Sequence, residues 1–182
     1  MHNSVYSHQL GDIKLTIISE GTVKGSAAQA FAGIEREKWK PFVETDSEDY
    51  MTFGLNLVHV SIKDQSILLD TGIGEPHPTR TRVEQTFPFN PSASLIPTME
   101  ELGILPNQIT DVIFSHTHSD HVMGSTVERN GQRIPAFPNA RYLLMQEEWS
   151  AISTRMQPGS PVHLHLTVLQ EHNLLDPVED GH

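Results

Sequence analysis

The chain has 182 residues, a formal net charge of −11 and no cysteine. Without cysteine there are no disulfide bonds or thiolate metal ligands, and the acidic balance argues against a general nucleic-acid-binding surface. No stretch approaches the ~18–20 consecutive apolar residues of a membrane-spanning helix, and the N-terminus lacks the pattern of a secretory signal. We therefore expect one domain over residues 1–182, in the cytoplasm, with no membrane or nucleic-acid partner.

Strand patterns dominate the first half of the chain. The sequence predicts a strand over 13–18, a short helix over 35–40 that Pro41 ends, and strands over 55–62 and 67–69. Residues 73–91 contain four prolines and predict a long irregular segment. Such a segment either lines a substrate cleft or simply connects two elements, and the sequence leaves both readings open.

Helices and strands alternate in the second half. The pattern predicts a helix over 94–102 that Gly103 ends, strands over 111–114 and 142–145, and a helix over 146–156. Neither an internal repeat nor an interdomain linker interrupts these elements. Their alternation predicts a layered α/β domain.

The run from Ser115 to His121 places three imidazoles and a carboxylate directly after a buried strand. If that strand continues, residues two apart project together, which brings His116, His118 and Asp120 to one face. A tight loop can then return His121 to the same point. Imidazole nitrogen and carboxylate oxygen are ligands that Zn²⁺ accepts, so we favour a metal site over a solvated histidine loop.

Other histidines and one aspartate need separate weighing. His163 and His165 have the same spacing and would share one face of a strand, but nothing near them in sequence completes a metal site. We expect ordinary surface or core roles for His59, His77 and His172. Asp70 ends an apolar strand, and its position before Thr71 and Gly72 is typical of a turn.

Three segments resemble the metallo-β-lactamase-fold hydrolases. The metal-binding signature of that family is similar to residues 116–121, and its early strand ending in Asp-Thr-Gly is similar to residues 66–72. Residues 137–142, followed by Glu147, Glu148 and Trp149, resemble the lactonase-like and organophosphate-hydrolase-like branches. The resemblance covers roughly residues 10–180. It implies an αββα sandwich with the metal site at one edge of its two sheets.

The resemblance also implies a site chemistry. One zinc ion would be held by His116 and His118 and a second by Asp120 and His121, with Asp120 also orienting a metal-activated hydroxide. The expected reaction is hydrolysis of a small-molecule ester, lactone, thioester or phosphoester. Asp70 would support the metals by hydrogen bonding.

The sequence departs from the family after His121. Complete relatives supply a third His, a bridging Asp and a further His from later motifs, and residues 122–182 contain none of these motifs. The expectation is therefore the N-terminal half of the fold. Two alternatives stay open: a fragment that binds metal weakly or needs a partner chain, and, with less support, a redox di-iron relative.

Overall fold

The structure is a computed structural model that describes residues 5–155 and 157–180. Its strands and helices, in chain order, are β1 Val5–Leu10, β2 Ile13–Ser26, α1 Ala27–Ala30, α2 Arg36–Trp39, β3 Tyr50–Ile62, β4 Gln65–Leu69, α3 Pro78–Glu84, β5 Phe89–Pro91, α4 Leu95–Glu101, β6 Asp111–Ile113, α5 Ser119–Val122, β7 Thr126–Arg129, β8 Gln132–Pro135, β9 Arg141–Met145, α6 Gln146–Ser153, α7 Pro161–Glu171 and β10 Leu175–Val178. Short 3₁₀ turns lie at Lys40–Phe42, Pro106–Gln108 and Met123–Ser125.

A mixed eight-stranded sheet organises the chain. Its order is β1-β2-β3-β4-β6-β9-β10, with β5 paired to β2. The first four strands are antiparallel neighbours, whereas β4, β6, β9 and β10 run parallel. Strands β7 and β8 form a separate hairpin. Because the parallel strands end at one edge, the loops that follow β4 and β6 meet there.

The strand predictions are confirmed in position, and those for β2 and β3 are shorter than the observed strands by five residues or more. Strands β2 and β3 pair with each other from Ile13 opposite Ile62 to Ser26 opposite Tyr50. Cross-strand hydrogen bonds therefore set their lengths, which a local apolar pattern cannot reveal. The predicted helix over 146–156 ends at Ser153, and its last residue, Met156, lies outside the described residues.

Two predictions about irregular or extended structure are wrong. Residues 73–91 contain α3 and β5, because Pro78 is favourable at the first helical position and His77 Nδ1 accepts a hydrogen bond from Thr79 N. His163 lies in α7 rather than in a strand. Its backbone N–H donates to the capping hydroxyl of Ser160, and a proline follows that cap.

The two faces of the large sheet have different environments. One face packs against helices α4 and α7 around a core that includes Leu68, Val112 and Tyr142, each fully buried. On the opposite face Ile17, Leu69, Ile113 and Met145 remain 37–39% exposed. The described residues thus form one helix layer and one sheet layer, which agrees with the expected half of an αββα sandwich.

A search of the described residues found no helix that combines the length and the apolar character needed to cross a membrane.

Candidate metal centre

The predicted metal run follows β6 at the edge where the parallel strands end. The strand does not continue through it, because β6 stops at Ile113 and helix α5 begins at Ser119. The expectation that alternate residues share a strand face is therefore wrong for His116, His118 and Asp120. These residues lie in a loop instead. In this loop His118 is extended, and its carbonyl accepts the backbone N–H of His121 at 3.0 Å.

The loop nevertheless brings the four predicted ligands together. The ring centroids of His116 and His118 lie 4.5 Å apart, and those of His116 and His121 lie 4.0 Å apart. His121 Nε2 is 3.5 Å from Asp120 Oδ2. Across residues 5–155 and 157–180, however, no three or more His, Asp or Glu side chains converge in a way that could hold a metal ion. The donor types fit zinc, although no three of them converge among the described residues.

Asp70 is the hydrogen-bonding centre beneath this cluster. Its Oδ1 accepts the backbone N–H of Ser115 at 2.8 Å, and its Oδ2 accepts the Ser115 hydroxyl at 2.8 Å. His121 Nδ1 lies 2.8 Å from the same Oδ2. Since an ionised carboxylate only accepts, Nδ1 of His121 donates to it, and Nε2 keeps its lone pair when the ring is neutral. The expected hydrogen bonding from Asp70 to the cluster is confirmed.

Ser115 fixes the tautomer of a second imidazole, that of His116. Its hydroxyl lies 3.0 Å from His116 Nδ1, and its single hydrogen is donated to Asp70. His116 must therefore donate from Nδ1 to the Ser115 oxygen, which leaves Nε2 as its free acceptor. Both rings thus present Nε2, the nitrogen that a metal ion would take.

Burial and charge shift the pKa values of these groups. Burial would raise the pKa of Asp70, but hydrogen bonds from His121 and Ser115 outweigh it and lower that pKa. Burial would lower the pKa of His121, whereas the Asp70 carboxylate raises it above its usual value. Burial lowers the pKa of His116, with further lowering from His121 and His118. His116 is therefore predisposed to be neutral, as a metal ligand must be.

The turn after β4 holds the far end of the metal loop. Thr71 donates both its backbone N–H and its hydroxyl to the carbonyl of His121, each at 2.8 Å. Gly124 N donates to the Gly72 carbonyl at 3.1 Å, and a Cβ on Gly124 would lie 1.8 Å from the Thr71 oxygen. The Asp-Thr-Gly segment thus fixes His121 through its side chain and its backbone.

Glu148 holds the middle of the loop; the resemblance included this residue but assigned it no role. Its Oε1 accepts the backbone N–H of Thr117 at 3.0 Å and the Thr117 hydroxyl at 2.5 Å. The Thr117 hydroxyl lowers the pKa of Glu148 below its usual value. Because Thr117 lies between His116 and His118, this contact fixes the backbone from which both rings project. Ser115 was also missed, because a serine before a histidine carries no specific pattern.

His59 and His77 have ordinary structural roles, as expected, and so does His165. His59 Nε2 lies 2.8 Å from the Ser66 hydroxyl, and His77 caps α3. His165 is buried, and its Nδ1 lies 2.7 Å from Thr126 Oγ1. Burial lowers the pKa of His165 to about 3, with further lowering from nearby positive charge.

A cleft of about 610 Å³ opens beside the cluster, and His118, Asp120 and His121 form part of its wall. Much of the rest of the wall is apolar and comes from Val23, Phe53, Leu55, Val83, Phe87 and Phe89. Three of these side chains belong to the segment 73–91. That segment therefore lines a cleft as well as connecting two elements.

Comparison with known proteins gives a family match and several fold matches. The profile of the Metallo-beta-lactamase superfamily matches residues 56–181. The structure is similar to the hydrolase AbOPH of the beta lactamase superfamily, with a TM-score of 0.71 and 19% identity over 98% of this chain and 62% of that one. It is also similar to a probable metal-dependent hydrolase from Staphylococcus aureus, with a TM-score of 0.70 and 18% identity over 94% of this chain and 61% of that one.

A third similar structure is AidC, described as a dizinc quorum-quenching lactonase, with a TM-score of 0.68 and 20% identity over 98% of this chain and 62% of that one. No match is found among curated protein sequences. The chain spans about three fifths of the length of these three solved structures. At such low identity the structural likeness is a likeness of fold.

Proposed function

Because this chain belongs to the metallo-beta-lactamase superfamily, we propose that it carries part of the active site of a zinc-dependent hydrolase of small molecules. The observation that carries the proposal is the cluster of His116, His118, Asp120 and His121 beside an apolar cleft. The hydrogen bonds from Asp70 and Ser115 support it, since they leave Nε2 of two imidazoles free.

We assign the four side chains to two zinc sites. His116 and His118 would hold one ion, and Asp120 and His121 the other. Bound zinc would polarise an oxygen of the substrate and lower the pKa of a water molecule to near 7. Asp120 would accept a hydrogen bond from that water and orient it, while Asp70 keeps the His121 ring fixed. A catalytic zinc normally takes three protein ligands, so each ion would need a further ligand in addition to these four side chains.

The cleft favours a substrate with an apolar group next to the bond that is cleaved. Phe53, Phe87 and Phe89 give it large apolar surfaces close to His118 and Asp120. An ester, lactone, thioester or phosphoester of a small apolar compound fits this description. The net charge of −11 does not favour a polyanionic substrate such as RNA. A lactone is the first compound to test, because one structural neighbour is described as a lactonase.

A second candidate is a chain that binds metal only together with a partner. The observation that favours it is that no three of the possible ligands converge among the described residues. Two protein ligands on each ion would give weak binding, because each ion would then depend on additional donors.

Metal content and hydrolysis separate the two candidates. We would purify the chain by gel filtration, measure zinc per chain by elemental analysis, and assay a lactone, a thioester and a phosphotriester. The proposed hydrolase should retain zinc and hydrolyse one of these classes, and the His116→Ala/His118→Ala variant should lose zinc. The control, His163→Ala, removes a histidine from a position on α7, away from the metal loop, and should leave the zinc content unchanged. Full zinc content in the double variant would refute the ligand assignment, and a folded, zinc-free, inactive chain would favour the second candidate.

A further inference from the structure

Glu20 is a carboxylate buried far from solvent, and it joins two segments that are distant in sequence. It lies in β2 with 1% of its surface exposed. Its Oε2 accepts the backbone N–H of Ile73 at 2.8 Å, and its Oε1 accepts the backbone N–H of Leu95 at 3.1 Å. Its own carbonyl accepts the backbone N–H of Ser92 at 2.8 Å. One residue thus connects the turn after β4 with the start of α4.

Both donors would lack a partner without Glu20. Leu95 is the first residue of α4, and the side chain of Ser94 makes no capping hydrogen bond, so the Glu20 carboxylate caps this helix from a neighbouring strand. Ile73 follows Gly72, where φ is +73° and a Cβ would lie 1.9 Å from Glu20 Oε2. The glycine of the Asp-Thr-Gly segment is therefore required by the carboxylate beside it as well as by its backbone angle.

The turn that Glu20 holds is the turn that holds the metal loop. Within four consecutive residues, Ile73 bonds to Glu20, Thr71 bonds to the His121 carbonyl, and Asp70 bonds to the His121 ring. We propose that Glu20 is a positioning residue for the metal centre, acting through the turn 70–73 on His121. The inference rests on the proposed function for the assumption that His121 binds a metal ion. The effect of Glu20 on the turn and on His121 rests on the hydrogen bonds alone.

The charge state of Glu20 gives this contact a pH dependence. Burial raises the pKa of Glu20 to about 7, although hydrogen bonds from Ile73 and Leu95 and the charge of Arg80 act in the opposite direction. Arg80 is itself paired with Glu84 at 2.8 Å. Glu75 lines the same small cavity as Glu20 and is paired with Arg129 at 3.0 Å. A protonated oxygen accepts an N–H less well, so the turn loosens as pH falls through 7.

Loosening of the turn is distinct from unfolding. A buried carboxyl with a raised pKa is favoured in its neutral form by the fold, so its protonation does not lower the free energy of unfolding. Protonation of Glu20 between pH 8 and pH 6 should therefore loosen the turn without lowering the free energy of unfolding of the chain. A change in metal affinity over that range without a loss of global stability is the expected signature.

The test uses the full chain, with hydrogen exchange of the Thr71 amide and Zn²⁺ affinity by chelator competition as readouts. At pH 8, Glu20→Gln should reduce Thr71 protection and Zn²⁺ affinity about tenfold each, a size typical of losing a group that orients a ligand. Glu20→Asp keeps the carboxylate and should restore part of both. Glu101→Gln, at an exposed position at the end of α4, should change neither.

A destabilising control separates positioning from general loss of structure. Leu169→Ala removes a fully buried side chain on α7 and should lower global stability while leaving Zn²⁺ affinity unchanged. Unchanged Thr71 protection in Glu20→Gln would overturn the inference. If that variant does not fold, the wild-type chain decides: the Ile73 and Leu95 amide shifts and Thr71 protection must change together with pH, and independent behaviour would also overturn it. If the chain binds no Zn²⁺ but Thr71 protection still falls when Glu20 is substituted or protonated, the proposed function is refuted and the positioning role of Glu20 is not.

Discussion

The chain contains two His-x-His pairs of identical spacing, and their surroundings have little in common. His116 and His118 lie in the loop after β6, with ring centroids 4.5 Å apart at the wall of a cleft. His163 and His165 lie on α7, where residues two apart point in different directions, and His165 is buried against Thr126. Equal spacing therefore does not predict equal chemistry, because the backbone conformation decides where the side chains go.

The partners of the imidazoles explain the difference further. Asp70 and Ser115 occupy the Nδ1 side of His121 and His116 and leave Nε2 free at a partly exposed site. His165 also has its Nδ1 in a hydrogen bond, but it is buried in the protein and its pKa is lowered to about 3. The first pair suits a metal ion, and His165 suits a neutral packing role.

The largest effect that can sharpen this comparison is the acid sensitivity of His165. Its pKa is lower in the folded than in the unfolded chain, so the unfolded chain binds more protons below about pH 6.5 and stability is lost as pH falls toward 3. We expect His165 to account for a loss of about 3 kcal/mol between pH 7 and pH 4. Urea unfolding at several pH values should show that His165→Gln removes this part of the slope.

The matched control for that measurement is His172→Gln, at an exposed position just after the same helix. It should keep the wild-type slope. If the stability of His165→Gln falls as steeply with pH as that of the wild type, His165 is not buried as a neutral group. The contrast between the two histidine pairs would then be wrong for the pair on α7.

Asp70→Asn tests the metal loop that contains the other pair, through its contact with His121. An amide can donate to His121 Nδ1, which would move the ring proton to Nε2 and block the proposed metal donor. We expect a 10–100-fold loss of Zn²⁺ affinity, the usual result of removing a carboxylate that orients a histidine ligand. Competition with a chelator measures it, with Asp64→Asn in the exposed β3–β4 turn as control. If Asp70→Asn binds Zn²⁺ as tightly as the wild type, Asp70 does not orient a metal ligand.

The sequence predicted those parts of the fold that depend on local patterns. The strand before His116, the strand before Asp70 and the helix before Gly103 were all located within a few residues. Helix α7 was missed although Ser160 and Pro161 gave a start signal, because the histidine spacing was interpreted as a strand. The lengths of β2 and β3 depend on their pairing with each other, which is information that a short window does not contain.

The candidate site divides in the same way. The four predicted ligands are consecutive or nearly so, and the sequence identified them as a group. Two residues that hold the metal loop are distant in sequence: Asp70, whose role the resemblance predicted, lies 51 positions from His121, and Glu148 lies 31 positions from Thr117. Glu20 carried no signal at all, since a glutamate in an apolar strand is ordinarily placed on the solvent face. Only the folded chain brings these carboxylates to the metal loop.

The smallest expected effect concerns the residue inside each pair, which is Thr117 in the first and Leu164 in the second. Thr117 is held by Glu148 through two hydrogen bonds, so Glu148→Gln should weaken both and cost roughly 1 kcal/mol of stability. Zn²⁺ affinity should fall only a few-fold, because Asp70 and Ser115 still orient the rings. Glu147→Gln, one residue earlier and exposed, is the control for both measurements. If the two variants behave alike, the extended backbone at His118 is sufficient to orient His116 and His118 without Glu148. The difference between this pair and the pair on α7 would then depend on backbone conformation alone.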